Sequence, residues 1–115
     1  MSRDERRLRD IVECAKELAG YLAGTSPEAF LEDRLLQRAV ERLLTIIGEA
    51  AKILSDGTRA QIDQPWREII RFRDKGIRGY DSLGPRTLYR IATESVPALR
   101  DAVAAHLAAP HQPPG

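Results

Sequence analysis

The spacing of apolar residues near the amino terminus constrains the fold most strongly. Between positions 3 and 22 they follow the i, i+3, i+4, i+7 pattern of one helix face, at Leu8, Ile11, Val12, Ala15, Leu18, Ala19 and Leu22. This pattern predicts an amphipathic helix with a single buried stripe. β-branched residues never cluster in runs that alternate with polar ones, so a sheet is not expected. The sequence therefore predicts an all-α protein.

A second helix is predicted from Pro27 to about Leu54. Thr25 or Ser26 can cap its first turn, and proline suits the first helical position. Its apolar residues are Phe30, Leu31, Leu35, Ala39, Val40, Leu43, Leu44, Ile46, Ile47, Ala50, Ala51 and Leu54. They cover more than one stripe toward the carboxyl end of the helix. A face this wide suggests contacts with the rest of the bundle and with a second subunit.

A third, basic helix is expected to open at Pro65 and to end at Gly79. Between positions 67 and 90 the chain has seven Lys or Arg and three acids, a net charge of +4 in a chain that is +1 overall. Concentrated guanidinium groups are typical of phosphate binding or phosphate chemistry. A last helix should run from Pro85 to about Ala108. Because Pro97 cannot continue a regular helix, a kink or break is expected over residues 94–96.

These segments predict an up-and-down bundle of four main helices, with a short connecting turn near residues 57–62. Residues 1–109 are expected to form one domain, and residues 110–115 a disordered tail. The single Cys14 excludes an internal disulfide, which fits a reducing cytoplasm. No apolar run is long enough to cross a membrane, and the amino terminus does not resemble a signal peptide. A soluble cytoplasmic protein is therefore predicted.

Several residues could carry chemistry, and each also has an ordinary structural explanation. His106 and His111 have no Cys, Asp or Glu at metal-ligand spacing, so neither a metal site nor a cofactor is expected. Trp66 is interpreted as a core anchor rather than a stacking platform. Glu49 lies in the most apolar part of the second helix. It should either pair with an arginine of the third helix or be partly exposed.

The arginines of the third helix allow more than one interpretation. Arg67, Arg71 and Arg78 share a face at spacings of four and seven residues, while Arg73 and Asp74 lie around the helix from them. An arginine-rich helix is more often solvated or internally paired than functional. The helix alone therefore leaves open catalysis on a phosphate, binding of a phosphate, and a plain structural role.

The order of several short motifs is more specific than any one of them. They are Asp10-Ile11, Ser26-Pro27-Glu28-Ala29-Phe30, Ile46-Ile47-Gly48-Glu49-Ala50-Ala51-Lys52, Pro65-Trp66-Arg67-Glu68-Ile69-Ile70, Phe72-Arg73-Asp74, Gly79-Tyr80 and Val96-Pro97-Ala98-Leu99. They are spread from position 10 to position 99, nearly the whole chain, and together they resemble the HepT-like toxins of the HEPN superfamily. The resemblance implies a dimerising helical bundle that acts as a metal-independent endoribonuclease on RNA. It also implies an antitoxin partner, a minimal nucleotidyltransferase of the MntA type, as in HepT/MntA type VII toxin–antitoxin systems.

The resemblance also assigns roles to individual residues. The family signature is an Arg, a polar residue, a few spacers, a His, any residue and a Tyr. On this sequence the Arg is Arg73, the polar residue is Asp74, and the Tyr is Tyr80, to which the antitoxin would transfer AMP. Arg78 stands where the family has its histidine. Glu49 and Arg71 are expected to support the site.

The residue at position 78 bears directly on catalysis. Cleavage of RNA without a metal uses the 2′-OH as an internal nucleophile, and a base must take its proton. A histidine with a pKa of about 6.5 suits that role. An arginine stays protonated, so Arg78 can bind phosphate but cannot act as the base. Losing acid–base help costs about 10²–10⁴-fold in rate, so the chain is predicted to be an impaired nuclease.

Two origins of Arg78 are open. It is either a selected or engineered substitution that inactivates a harmful enzyme, or the mark of a natural member retained for binding. The second origin leads to an alternative function, a non-catalytic helical module that binds a minimal nucleotidyltransferase. A structural bundle whose arginines pair internally is a third possibility.

Overall fold

All regular elements of the described chain are helices. A computed structural model describes residues 2–78 and 84–109, with side chains for residues 2–73 and 84–109. The helices are α1 (Arg3–Leu22), α2 (Pro27–Leu31), α3 (Arg34–Ile53), α4 (Asp56–Ala60), α5 (Trp66–Arg78), α6 (Gly84–Arg90), a π-helical turn (Ile91–Ser95) and α7 (Val96–Ala108). The predicted all-α bundle is confirmed. Its main members are α1, α3, α5 and the segment from α6 to α7.

The expectation of one continuous helix from Pro27 to about Leu54 is wrong, because the chain forms α2 and α3 there. Asp33 causes the break. Its Oδ1 accepts a hydrogen bond from the backbone nitrogen of Leu36 at 2.9 Å, which caps α3. The Nε2 of Gln37 donates to the last two carbonyl oxygens of α2 at 3.0 and 3.2 Å. These bonds satisfy groups that a helix end otherwise leaves without partners.

The predicted turn near residues 57–62 also contains a short helix. Ser55 caps α4, and its Oγ accepts a hydrogen bond from the backbone nitrogen of Thr58 at 3.2 Å. The basic helix α5 begins one residue later than expected. Pro65 lies just before it, and its carbonyl oxygen accepts from the backbone nitrogen of Ile69 at 3.1 Å. The predicted end at Gly79 lies outside the described residues.

The break predicted over residues 94–96 takes the form of a π-helical turn. The backbone nitrogen of Val96 donates to the carbonyl oxygen of Ile91, five residues back instead of four. Pro97 follows in the first turn of α7, where a missing N–H group costs least. The wider turn therefore lets the chain pass the proline while Val96 and Leu99 stay in the core.

The core is built around α3, which packs most extensively on α5 and then on α1, while α7 packs on α1. The most deeply buried large side chains are Phe30, Ile11, Leu18, Leu44, Ile47, Leu88, Leu99, Val40, Val96 and Val103. Each contributes about 1.5–3 kcal/mol relative to an exposed side chain. Among the residues whose burial is described, no polar or charged residue is buried. No helix in the described part of the chain is long and apolar enough to cross a membrane.

Candidate functional site

The basic helix α5 packs on α3 with one face and exposes another. Ile69 and Phe72 are buried in the core, whereas Arg67 and Arg71 are exposed. Neither of these two arginines forms an ion pair with another described side chain. The predicted face of arginines is therefore solvent-accessible over its described part, and its guanidinium groups are available to an anion.

Arg73 lies where α5 approaches α3 most closely. A Cβ atom added to Gly48 of α3 would be 2.6 Å from the backbone nitrogen of Arg73 and 3.1 Å from the carbonyl oxygen of Ile69. Heavy atoms cannot approach this closely without overlap, so the crossing requires a residue without a side chain. Gly48 therefore sets the position from which the half-buried Arg73 side chain extends.

Glu49, next to Gly48, is exposed to solvent. It has no ion pair with any side chain in residues 2–73 or 84–109, so the expected pairing with an arginine of α5 is not found there. Of the two interpretations of this residue, the exposed carboxylate is the one that the structure supports. Its supporting role in the site stays a prediction.

The remaining predicted site residues follow Arg73 along the chain. The backbone of Asp74 and of Arg78 is part of α5, and their side chains are outside the described set. Tyr80 lies outside the described residues. The structure therefore brings the α3 segment at Gly48 to Arg73. The roles of Arg73 and of the residues after it stay predictions from the resemblance.

Trp66 fixes the beginning of the basic helix. Its Nε1 donates to the carbonyl oxygens of Arg59 and Ile62, at 3.0 and 2.9 Å, and its ring is half-buried against the core. These two bonds satisfy the only polar atom of the indole. The structure therefore agrees with the interpretation of Trp66 as an anchor, one that ties α5 to the end of α4.

A groove of about 490 Å³ lies between α5 and the π-helical turn with α7. It is lined by Gln64, Pro65, Glu68, Ile69, Arg71, Phe72, Ile91, Ser95 and Ala98. Of these residues, only Arg71 is among the predicted site residues. The one sequence feature that could have indicated the groove is Pro97. It predicts a break in the last helix, but it does not predict that a groove opens beside the break.

Cys14 is not suited to nucleophilic chemistry. Its side chain is half-buried, and burial, together with the neighbouring carboxylates of Glu17, Asp10 and Glu13, raises its pKa to about 11. The thiolate is the reactive form of cysteine, and at neutral pH this side chain is a thiol. In the described part of the chain no three His, Cys, Asp or Glu side chains are placed to hold a metal ion.

Comparison with known proteins identifies the family. Residues 11–105 match the family model described as "Ribonuclease HepT-like". The chain is similar to "Probable ribonuclease HepT" of Thermococcus cleftensis, with 39% identity over 81% of this chain and 86% of that protein. It is also similar to the candidate RNase TTE0752 of Caldanaerobacter subterraneus, with 35% identity over 84% of this chain and 87% of that protein. No solved structure matches the chain. The chain belongs to the HepT-like ribonuclease family.

Proposed function

We propose that this chain is the ribonuclease toxin of a toxin–antitoxin module, a metal-independent RNA endonuclease impaired by Arg78. The observation that carries the proposal is the family match over residues 11–105, which contains the whole basic helix. The contact between Gly48 and Arg73 supports the proposal, because this contact fixes the backbone position from which the Arg73 side chain extends. A preorganised guanidinium group can stabilise the charge that develops on a phosphate during cleavage.

In the proposed reaction the RNA supplies its own nucleophile. The 2′-oxygen loses its proton and attacks the adjacent phosphorus, and the bond to the 5′-oxygen breaks. The products are a 2′,3′-cyclic phosphate and a 5′-hydroxyl, which forms when the leaving oxygen takes up a proton. Arg73 would hold the phosphate, with Asp74 beside it in sequence. A histidine at position 78 would take the proton of the 2′-OH. An arginine there keeps its own proton, so it can attract the phosphate without starting the reaction.

Control of the toxin is proposed to act on Tyr80. An MntA-like minimal nucleotidyltransferase would transfer AMP to the phenolic oxygen of Tyr80, with pyrophosphate leaving from ATP. The added nucleotide is bulky and anionic, so it would occupy the site and repel the phosphates of RNA. A mass increase in multiples of AMP, seen only with the partner and ATP and absent from Tyr80→Phe, is the expected result.

The proposal is tested by restoring the missing base. Arg78→His should cleave RNA in the presence of EDTA about 10²–10⁴-fold faster than the Arg78 protein, and the products should end in 2′,3′-cyclic phosphate. Arg78→Ala is the matched control, because it removes the arginine without supplying an imidazole. It should remain as slow as the unaltered chain.

A second function competes with this one because of Arg78 itself. If folded Arg78→His neither cleaves RNA nor slows growth on expression, the toxin proposal fails. Co-purification of that inactive protein with a minimal nucleotidyltransferase would then favour the non-catalytic binding module.

A further inference from the structure

The groove between α5 and α7 is lined in part by the basic helix, including Arg71, but Arg73 is not among its lining residues. We propose that it binds one nucleotide of a single-stranded RNA beside the cleavage position, with Arg71 contacting phosphate and Glu68 contacting the base. This inference rests on the proposed function in one respect, that RNA is the substrate. It adds a binding subsite and a preference for a class of base.

The size and lining of the groove suit a nucleotide. Its volume of about 490 Å³ lies within the ~300–1,000 Å³ typical of small-ligand sites. The floor includes the buried residues Ile69 and Phe72, whereas Glu68, Arg71 and Ser95 are exposed. A nucleotide likewise combines an apolar part with polar and charged parts. Its base has an apolar face and a polar edge, and its phosphate is anionic.

The charges favour RNA over a second copy of the chain. Arg71 and Glu68 have no ion pair with any described side chain, so both remain available to a ligand. Protein–protein interfaces are depleted of glutamate, so a Glu68 in the lining with no described ion-pair partner argues against a second copy of the chain as the occupant. Positions 71 and 78 are seven residues apart on α5, about 10 Å along the helix axis. A strand that follows the helix would therefore pass the groove on its way to position 78.

Glu68 gives the groove a chemical preference. An ionised carboxylate only accepts hydrogen bonds, so it favours a base with an amino group at its edge. Cytosine offers the N4 amino group, whereas uracil has a carbonyl oxygen at the corresponding position. The two bases have nearly the same size, so a difference in affinity between them reports on this contact rather than on the shape of the groove.

The first test fills the groove. Ala98 and Ala104 are both exposed residues of α7, but only Ala98 lines the groove. Fluorescence anisotropy with labelled oligocytidylate should show binding to Ala98→Trp weakened on the order of tenfold, the scale of losing one base contact. Ala104→Trp should bind as the unaltered chain does. Equal affinities of the two variants would overturn the proposal.

The second test changes Glu68, the residue that is proposed to contact the base. The unaltered chain should bind oligocytidylate more tightly than oligouridylate of the same length. Glu68→Gln should bind both equally, because an amide can donate as well as accept. Equal binding of the two RNAs by the unaltered chain would overturn the assignment of Glu68.

Light scattering identifies the competing occupant. If Ala98→Trp changes the oligomeric state and leaves RNA affinity unchanged, the groove is an interface between copies, and the proposal is wrong. Binding needs no catalysis, so these results are independent of Arg78→His. If Arg78→His is active but Ala98→Trp does not change RNA affinity, the proposed nucleotide site in the groove is wrong and the proposed function stands. Failure of the unaltered chain to bind RNA would overturn the groove and the choice of RNA as substrate together.

Discussion

Gly48 carries no side chain where α3 and α5 cross, and the packing of both helices depends on that. A glycine inside a helix costs about 1 kcal/mol relative to alanine. At this position the cost is offset by the close crossing, which helps to bury Ile69 and Phe72. The same crossing holds the backbone of Arg73, so one residue links stability to the candidate site.

Gly48→Ala is predicted to destabilise the protein by about 1–3 kcal/mol, the usual cost of overpacking. The new Cβ would be 2.6 Å from the backbone nitrogen of Arg73, so α5 must move. Urea unfolding measures the change. Gly20→Ala in α1 is the control, because its Cβ would meet nothing within 4 Å. It should be neutral or stabilising by up to about 1 kcal/mol. Equal effects of the two variants would contradict a close crossing.

Cys14 is predicted to be a slow thiol. Because its pKa is raised to about 11, alkylation by iodoacetamide at pH 8 should be roughly tenfold or more slower in the folded protein than in urea. The folded rate should still be rising with pH above pH 9, because the thiolate is still forming there. A rate that levels off near pH 8 would show that the pKa is not raised.

At the scale of elements, a side chain of α1 links that helix to α4. The carboxylate of Asp4 accepts hydrogen bonds from the backbone nitrogen of Ser55 at 3.1 Å and from its Oγ at 2.6 Å. It also accepts one from the Oγ1 of Thr58. The side-chain bonds from Ser55 and Thr58 lower the pKa of Asp4. The link joins residues more than fifty positions apart, so it contributes to tertiary structure and not only to a helix end.

Asp4→Asn is predicted to lower the free energy of unfolding by about 1 kcal/mol at pH 7, because part of this network is lost. A lowered pKa in the folded state stabilises the protein above the ordinary aspartate pKa of about 4, and this contribution disappears as the pH falls through the folded value. The difference between Asp4→Asn and the unaltered chain should therefore shrink below pH 4. Asp10→Asn, which removes a partly exposed pair with Arg7 within α1, should change stability less than Asp4→Asn does.

At the scale of the whole molecule, α3 exposes apolar residues that the bundle does not cover. Leu35 is 82% exposed and Ile53 is 42% exposed. They are eighteen residues apart, which is five helical turns, and therefore lie on the same side of α3, with the half-buried Ile46 between them. Arg42 and Glu49 are exposed on this side. In an antiparallel pair of α3 helices in which Leu35 of each copy faces Ile53 of the other, Arg42 of each copy would lie within one helical turn of Glu49 of the other.

This stripe is predicted to form the dimer interface expected from the width of the helix. Leu35→Lys and Ile53→Lys should each weaken dimerisation about tenfold or more, because each places an unpaired charge in an apolar contact. Multi-angle light scattering over a concentration series measures the effect. Tyr21→Lys changes an exposed aromatic of α1, 48% exposed, and should leave the dimer intact. The prediction would be contradicted if the unaltered chain were a monomer. It would also be contradicted if Tyr21→Lys weakened dimerisation as much as Leu35→Lys and Ile53→Lys do.

Features that depend on residues close together in the sequence were predicted better than features that depend on contacts between distant helices. The bounds of α1 were predicted correctly because they follow from its own apolar spacing. The break at Asp33 was missed, because the apolar pattern continues across it while a local cap competes. Pro97 marked the break in the last helix, but not its π-helical form. For the candidate site, Arg73 and Arg71 stay predictions from the resemblance, and neither the crossing at Gly48 nor the groove was predicted.

By itself, the sequence determined the all-helical class, the bounds of α1, the break before Pro97 and the basic character of α5. Periodicity, proline geometry and local charge act between residues a few positions apart, so they can be read along the chain. Only the tertiary structure decided that Gly48 faces Arg73, that Glu49 is exposed, and that a groove opens beside α5. These features depend on how closely and at what angle distant helices pack, which the side chains of the whole core set together.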